Sequence, residues 1–105
     1  MLKKPYPKEV YVENAHVYKL LANAKRLEIL NSVKSAEATV KEIASSLGIS
    51  SSNASQHLAI LSYMNLIKSR REGRNVFYKL ADKRIVEPCR VFKRLREQRL
   101  IPSLS

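Results

Sequence analysis

Apolar residues recur along this chain at two periods, and the change from one to the other marks its elements. Val40, Ile43, Ala44 and Leu47 fall at i, i+3, i+4 and i+7, one face of a short helix. Gly48 follows, where such a helix stops. Ser50 offers its hydroxyl to an orphan backbone N–H of a second helix. There Ala54, Leu58 and Leu61 form the stripe expected to be buried, and Ser51, Ser52, Ser55 and Gln56 lie off it. Beyond it the period drops to two. Val76, Tyr78 and Leu80 alternate with Phe77 and Lys79, and two extended runs flank Glu72-Gly73-Arg74-Asn75, the pattern of a hairpin.

Upstream, Val10, Val17, Leu20 and Leu21 share one side of a helix beginning near Glu9, with Val12, Ala15 and Tyr18 widening its apolar face. So broad a face predicts burial against a partner subunit. Asn23 caps the next helix, whose core face is Leu27, Leu30 and Val33 with Ile29 nearby. Arg26 is expected to bind a backbone carbonyl or a carboxylate inside the domain. Residues 35–38 read as a linker, and Thr39 opens the next helix. Downstream, Asp82 caps a last helix over about 83–98, with Ile85, Cys89 and Phe92 stacked along it. Pro88 falls about two turns in, where it would kink that helix. Residues 1–8 read as a flexible arm, 9–98 as one domain and 99–105 as a tail.

Helix, tight turn, polar-faced helix, hairpin is the layout of a winged helix-turn-helix. The expected fold is mainly α, about five helices with a two-stranded wing between the recognition helix and the last helix. A helix fits the major groove of DNA, and in this motif the second helix enters it. Charge points the same way. Twenty Lys and Arg against nine Asp and Glu leave +11, which favours a polyanionic partner. Residues 51–105 hold 12 basic and 4 acidic side chains, whereas residues 1–50 hold 8 and 5, so the excess lies with the hairpin and the last helix. Ser50, Ser51, Ser52, Asn53, Ser55, Gln56 and His57 are the expected contacts to base edges or adjacent phosphates. Arg70, Arg71 and Arg74 would hold phosphates, and Gly73 and Asn75 shape the wing turn. His57 has two readings: a DNA contact or helix-orienting hydrogen bond, and a half-buried histidine satisfied by backbone. The basic run Lys93, Arg94, Arg96, Arg99 reads as a solvated face in preference to a second DNA contact.

Other classes recede. With 45% apolar residues the chain folds as one modest domain. No apolar run approaches the roughly 20 residues of a membrane helix, and the first residues lack a secretion-signal core. A lone cysteine, Cys89, fits a reducing compartment, so a cytoplasmic protein is expected. No paired carboxylates, nucleophile–base set or Gly-rich phosphate loop argues for an enzyme.

The runs LLANAKRLEIL, VKEIASSLGISSSNASQHLAILSYMNLI and REGRNVFYKL resemble successive signatures of the ArsR/SmtB family of repressors, over about Val17 to Leu80. The resemblance implies a homodimer held by first and last helices, a near-palindromic operator in double-stranded DNA, and repression relieved by an inducer. It also exposes departures. In the family's thiolate metal sensors a Cys-x-Cys lies where this chain has Thr39 and Lys41, and neither replaces a soft thiolate. The other metal type needs Asp and His pairs in the last helix, which here has no histidine. A family-type metal inducer is therefore not expected, nor any cofactor, although a metal held by Cys89, His16 and a carboxylate remains open. The segment PCRVFKRL resembles the redox-responsive branch, whose second cysteine sits where this chain has Asn31. Cys89 is read as a small core residue, with thiol sensing as the alternative. A non-specific architectural DNA-binding protein is the remaining rival, since the polar recognition face carries no Arg or Lys to grip guanine. A winged helix serving only protein–protein contacts is disfavoured by the arginines of the wing.

Overall fold

The computed structural model describes residues 2–104; Met1 and Ser105, the ends of the expected arm and tail, lie outside them. Five helices and a small sheet follow in the order α1 (Lys8–Leu21), α2 (Ala24–Ser32), β1 (Ala38–Thr39), α3 (Val40–Leu47), α4 (Ser51–Tyr63), β2 (Ile67–Glu72), β3 (Asn75–Leu80), a 3₁₀ turn (Lys83–Val86) and α5 (Glu87–Glu97). Side chains cap the starts of α2, α3, α4 and the 3₁₀ turn. Asn23 accepts from the Arg26 N–H, Ser50 Oγ accepts from the Asn53 N–H, and Asp82 accepts from the Arg84 N–H. Thr39 forms a full capping box: its hydroxyl accepts from the Glu42 N–H at 3.3 Å while a Glu42 carboxylate oxygen accepts from the Thr39 N–H at 2.9 Å. Gly48 ends α3 at φ +67°, the left-handed region that a side chain enters only with strain.

The core lies among α2, α3, α4 and the base of the sheet. Ile29 and Leu30 of α2, Val33 just past its end, Ile43 of α3, and Leu58 and Leu61 of α4 are essentially inaccessible to solvent, and Leu66, Ile67, Leu80 and Val86 close the cluster. The stripe expected in α4 is the buried one. The sheet is tied down by its backbone: the Leu80 N–H donates to the Val33 carbonyl and the Ala81 N–H to the Leu66 carbonyl, both at 3.0 Å.

Three expectations change. Ala38, expected to be linker, and Thr39, which also caps α3 as expected, form a short strand; they pair antiparallel with Tyr78 and Phe77, so the wing is three-stranded with β3 central. The last helix is not one kinked rod. The chain turns first through a 3₁₀ segment, and Pro88 lies in the first turn of α5, where its missing N–H would have had no helical partner. Cys89 is half-buried, not a core residue, because α5 buries none of its side chains completely within this chain. Among the described residues no helix is long and apolar enough to cross a membrane.

Candidate nucleic-acid interface

The α4 helix inherits two opposed faces from its spacing. Ala54, Leu58 and Leu61 point into the core. Ser52, Ser55 and Gln56 fall on the opposite side, exposed, with Ser51 and Asn53 on its flanks. Ala59 completes this outer face and was not foreseen; its spacing of i+3 and i+4 from Gln56 and Ser55 marks it, and its methyl suits contact with a thymine methyl. Ser50 is exposed too, but its hydroxyl is occupied as the cap.

His57 does not join this face. It is half-buried, and its Nδ1 accepts from Arg26 Nε at 3.3 Å. The partner is a side chain, not the backbone. The same guanidinium donates through Nη1 to the Leu20 carbonyl at 3.0 Å, at the end of α1. Arg26 therefore joins α1, α2 and α4, and the expected backbone carbonyl for Arg26 is the Leu20 one.

The wing turns through Gly73-Arg74, with Glu72 and Asn75 paired across its mouth. Gly73, at the first central position, has φ +62°, as a type II′ hairpin turn requires. Arg71 and Arg74 are exposed and make no ion pair among the described residues. Arg70, expected to be free for phosphate, is engaged within the wing. Its Nε donates to both Glu37 carboxylate oxygens at 3.0 and 2.9 Å, Nη2 reaches the same carboxylate, and Nη1 donates to Glu72 Oε2 at 2.7 Å. The guanidinium also lies 4.7 Å from the centre of the Phe77 ring. Hydrogen bonding to Arg70 lowers the Glu37 carboxyl below its ordinary value, and the paired carboxylates raise Arg70 above that of a free guanidinium. Glu37 falls in the segment expected to be linker. Nothing local marks it, because its partner lies 33 residues away and only the strand pairing brings them together.

Elsewhere, Asn31 Nδ2 lies 3.6 Å from Cys89 Sγ, so the position of the redox branch's second thiol does face Cys89 and holds an amide. No group of three His, Cys, Asp or Glu that could hold a metal ion occurs among the described residues.

Residues 23–69, from the start of α2 into β2, match the model of the bacterial regulatory protein arsR family. The transcriptional activator HlyU of Vibrio cholerae is 38% identical over 77 residues, covering 73% of this chain and 71% of HlyU. This chain belongs to the ArsR family. The structure of reduced HlyU from that organism superposes with a TM-score of 0.74 at 33% identity, covering 84% of this chain and 93% of that one. The homodimeric winged helix-turn-helix DNA-binding domain of Mb0332 from Mycobacterium bovis does so with a TM-score of 0.73 at 28% identity, over 96% and 94%. Among curated relatives, the HTH-type transcriptional regulator KmtR of Mycobacterium tuberculosis is 33% identical over 77% of this chain, and the match spans 62% of KmtR's length. The SmtB homolog of Synechocystis matches over 54% of its own length. The fold is thus the family's winged helix-turn-helix, mainly helical.

Proposed function

We propose that this ArsR-family chain is a homodimeric, sequence-specific DNA-binding transcriptional regulator, acting as a repressor on a near-palindromic operator. One observation carries the reading. The second helix of the helix-turn-helix sets small polar side chains, Ser52, Ser55 and Gln56, opposite its buried stripe, on a chain of net charge +11. Gln56 is suited to bidentate pairing with adenine, and serines accept several bases. Ser51 and Asn53 flank that face toward the phosphates, and Ser50 contributes through the helix start. Arg71 and Arg74 supply sequence-independent phosphate contacts, with Asn75 and Gly73 shaping the turn that presents them. His57 acts indirectly, by holding α4 to Arg26.

Fluorescence anisotropy on the DNA upstream of the protein's own gene and on a scrambled duplex, at about 0.15 M salt, tests this. A preference of about a thousandfold for the native duplex is expected. Equal, steeply salt-dependent binding would replace it with the architectural reading, which the absence of Lys and Arg from the reading face favours. A promoter–reporter fusion decides the sign of control, since relatives include a named activator as well as a named repressor. Adding a thiol oxidant to wild type and Cys89→Ser tests sensing by Cys89; oxidant-driven release that is identical in both would end that alternative.

A further inference from the structure

We propose that Glu37 sets how much of the wing's positive charge reaches DNA, by holding Arg70 in a clamp inside the wing. The proposal rests on the DNA-binding reading above. Arg70 in β2 stands opposite Phe77 in β3, and its guanidinium stacks against that ring and reaches past the central strand to Glu37, just before β1. Glu37 takes two edges of the fork and Glu72 a third, the geometry in which arginine binds carboxylate most specifically. One cation thus faces two anions. A phosphate approaching Arg70 meets both carboxylates, so Arg70 adds no net attraction there, although Lys68 and Lys79 share this side of the sheet. Lys79 also acts on Glu37. The wing's grip then falls to Arg71 and Arg74. Withholding one phosphate contact weakens every sequence alike and leaves the α4 reading face untouched, so overall affinity falls while the ratio of operator to non-specific binding is kept.

The test is a salt titration of duplex binding by the full chain and four variants: Glu37→Gln, Arg70→Gln, the double variant, and Arg74→Ala. Glu37→Gln is expected to tighten binding to operator and scrambled duplex alike and to steepen log K against log salt by up to about 0.9, one freed cation. That gain disappears in the Arg70→Gln background, as a coupled pair requires. A gain that persists without Arg70 is a general charge effect and overturns the proposal. So does an Arg70→Gln slope flattened as much as that of Arg74→Ala, which would put Arg70 on a phosphate already. A wild type without salt-dependent duplex binding removes the DNA reading and the clamp's role with it, whereas a slope flattened by Arg74→Ala but unchanged by Glu37→Gln upholds that reading while the clamp fails. The Arg70 Nε–H proton gives a check on the free protein. Slow exchange with solvent in wild type and fast exchange in Glu37→Gln is expected, and fast exchange in both overturns the clamp.

Discussion

Single side chains at chain turns fix where the elements begin, and those were the most legible residues in the sequence. Thr39, Ser50 and Asn23 each precede an apolar period, and each caps the adjoining helix. Thr39→Ala removes the hydroxyl from the capping box and should lower stability by about 1 kcal/mol, read as a shift in the urea midpoint. Gly48→Ala meets no atom within 4 Å, yet the backbone there stays at φ +67°. Its expected cost, about 1 kcal/mol, is therefore one of conformation alone, and Gly48→Asn should recover part of it. Glu37 was illegible for the opposite reason. Its role depends on strand register, not on neighbours in sequence. Its carboxyl is held below the ordinary 4.5 by the hydrogen bond from Arg70. A carboxylate depressed in the folded state adds stability that is complete above the unfolded value and lost as pH falls through the folded one. The Glu37–Arg70 contribution is thus intact above pH 4.5 and disappears in more acid solution. An NMR titration of the Glu37 carboxyl carbon should show a midpoint below 4.5 that moves back toward it in Arg70→Gln. A midpoint indifferent to Arg70 would show that the pair does not persist in solution.

Elements were legible where one period ran uninterrupted. The α3 and α4 stripes, with Ile43, Ala44, Ala54, Leu58 and Leu61 buried, result directly from spacing. The two-residue strand β1 was not, because no alternation develops over two residues and only the edge of β3 makes Ala38 and Thr39 extended. The start of the last helix misled for a different reason. Asp82 does cap a helical turn, but a 3₁₀ one, and α5 begins after it. Pro88→Ala separates the two pictures. Removing a proline from a mid-helix kink would gain about 3 kcal/mol. In the first turn of α5 the change should stay within about 1 kcal/mol, as a loss of chain restriction. Arg26 acts between elements, bonded to the end of α1 and to α4 at once. Arg26→Ala leaves the Leu20 carbonyl and His57 Nδ1 without their donor. A loss of about 1–3 kcal/mol is expected, with a larger fall in operator affinity than in scrambled-duplex affinity, because the pose of α4 is what changes.

At the scale of the molecule the chain is more extended than a compact domain of its length. Its radius of gyration is 16.1 Å, with extents of 58 × 34 × 21 Å, against about 13 Å for a compact domain of 105 residues. Neither α1 nor α5 buries a residue fully within the chain. Between them runs a groove of about 640 Å³ with apolar walls from Val17, Tyr18, Leu21, Ile85 and Phe92. Tyr18 stays 63% and Phe92 51% exposed, although both sit on faces whose apolar pattern calls for cover. In the proposed homodimer a second copy covers them. It also gives the two α4 helices a fixed separation, which a near-palindromic site requires to be about 34 Å along the duplex. Sedimentation of the wild type should therefore give about 24 kDa, twice the 12.0 kDa chain, and its melting temperature should rise with concentration. Phe92→Glu places an unpaired charge in the groove and should yield a monomer that keeps the α2–α4 core. On DNA this variant should lose the preference for paired half-sites and fall to non-specific affinity, about 10⁻⁴–10⁻⁶ M at physiological salt, while its salt slope per chain is kept. A wild type that sediments as a monomer, or a monomeric Phe92→Glu that still prefers the palindrome, would show that operator selection does not run through this face.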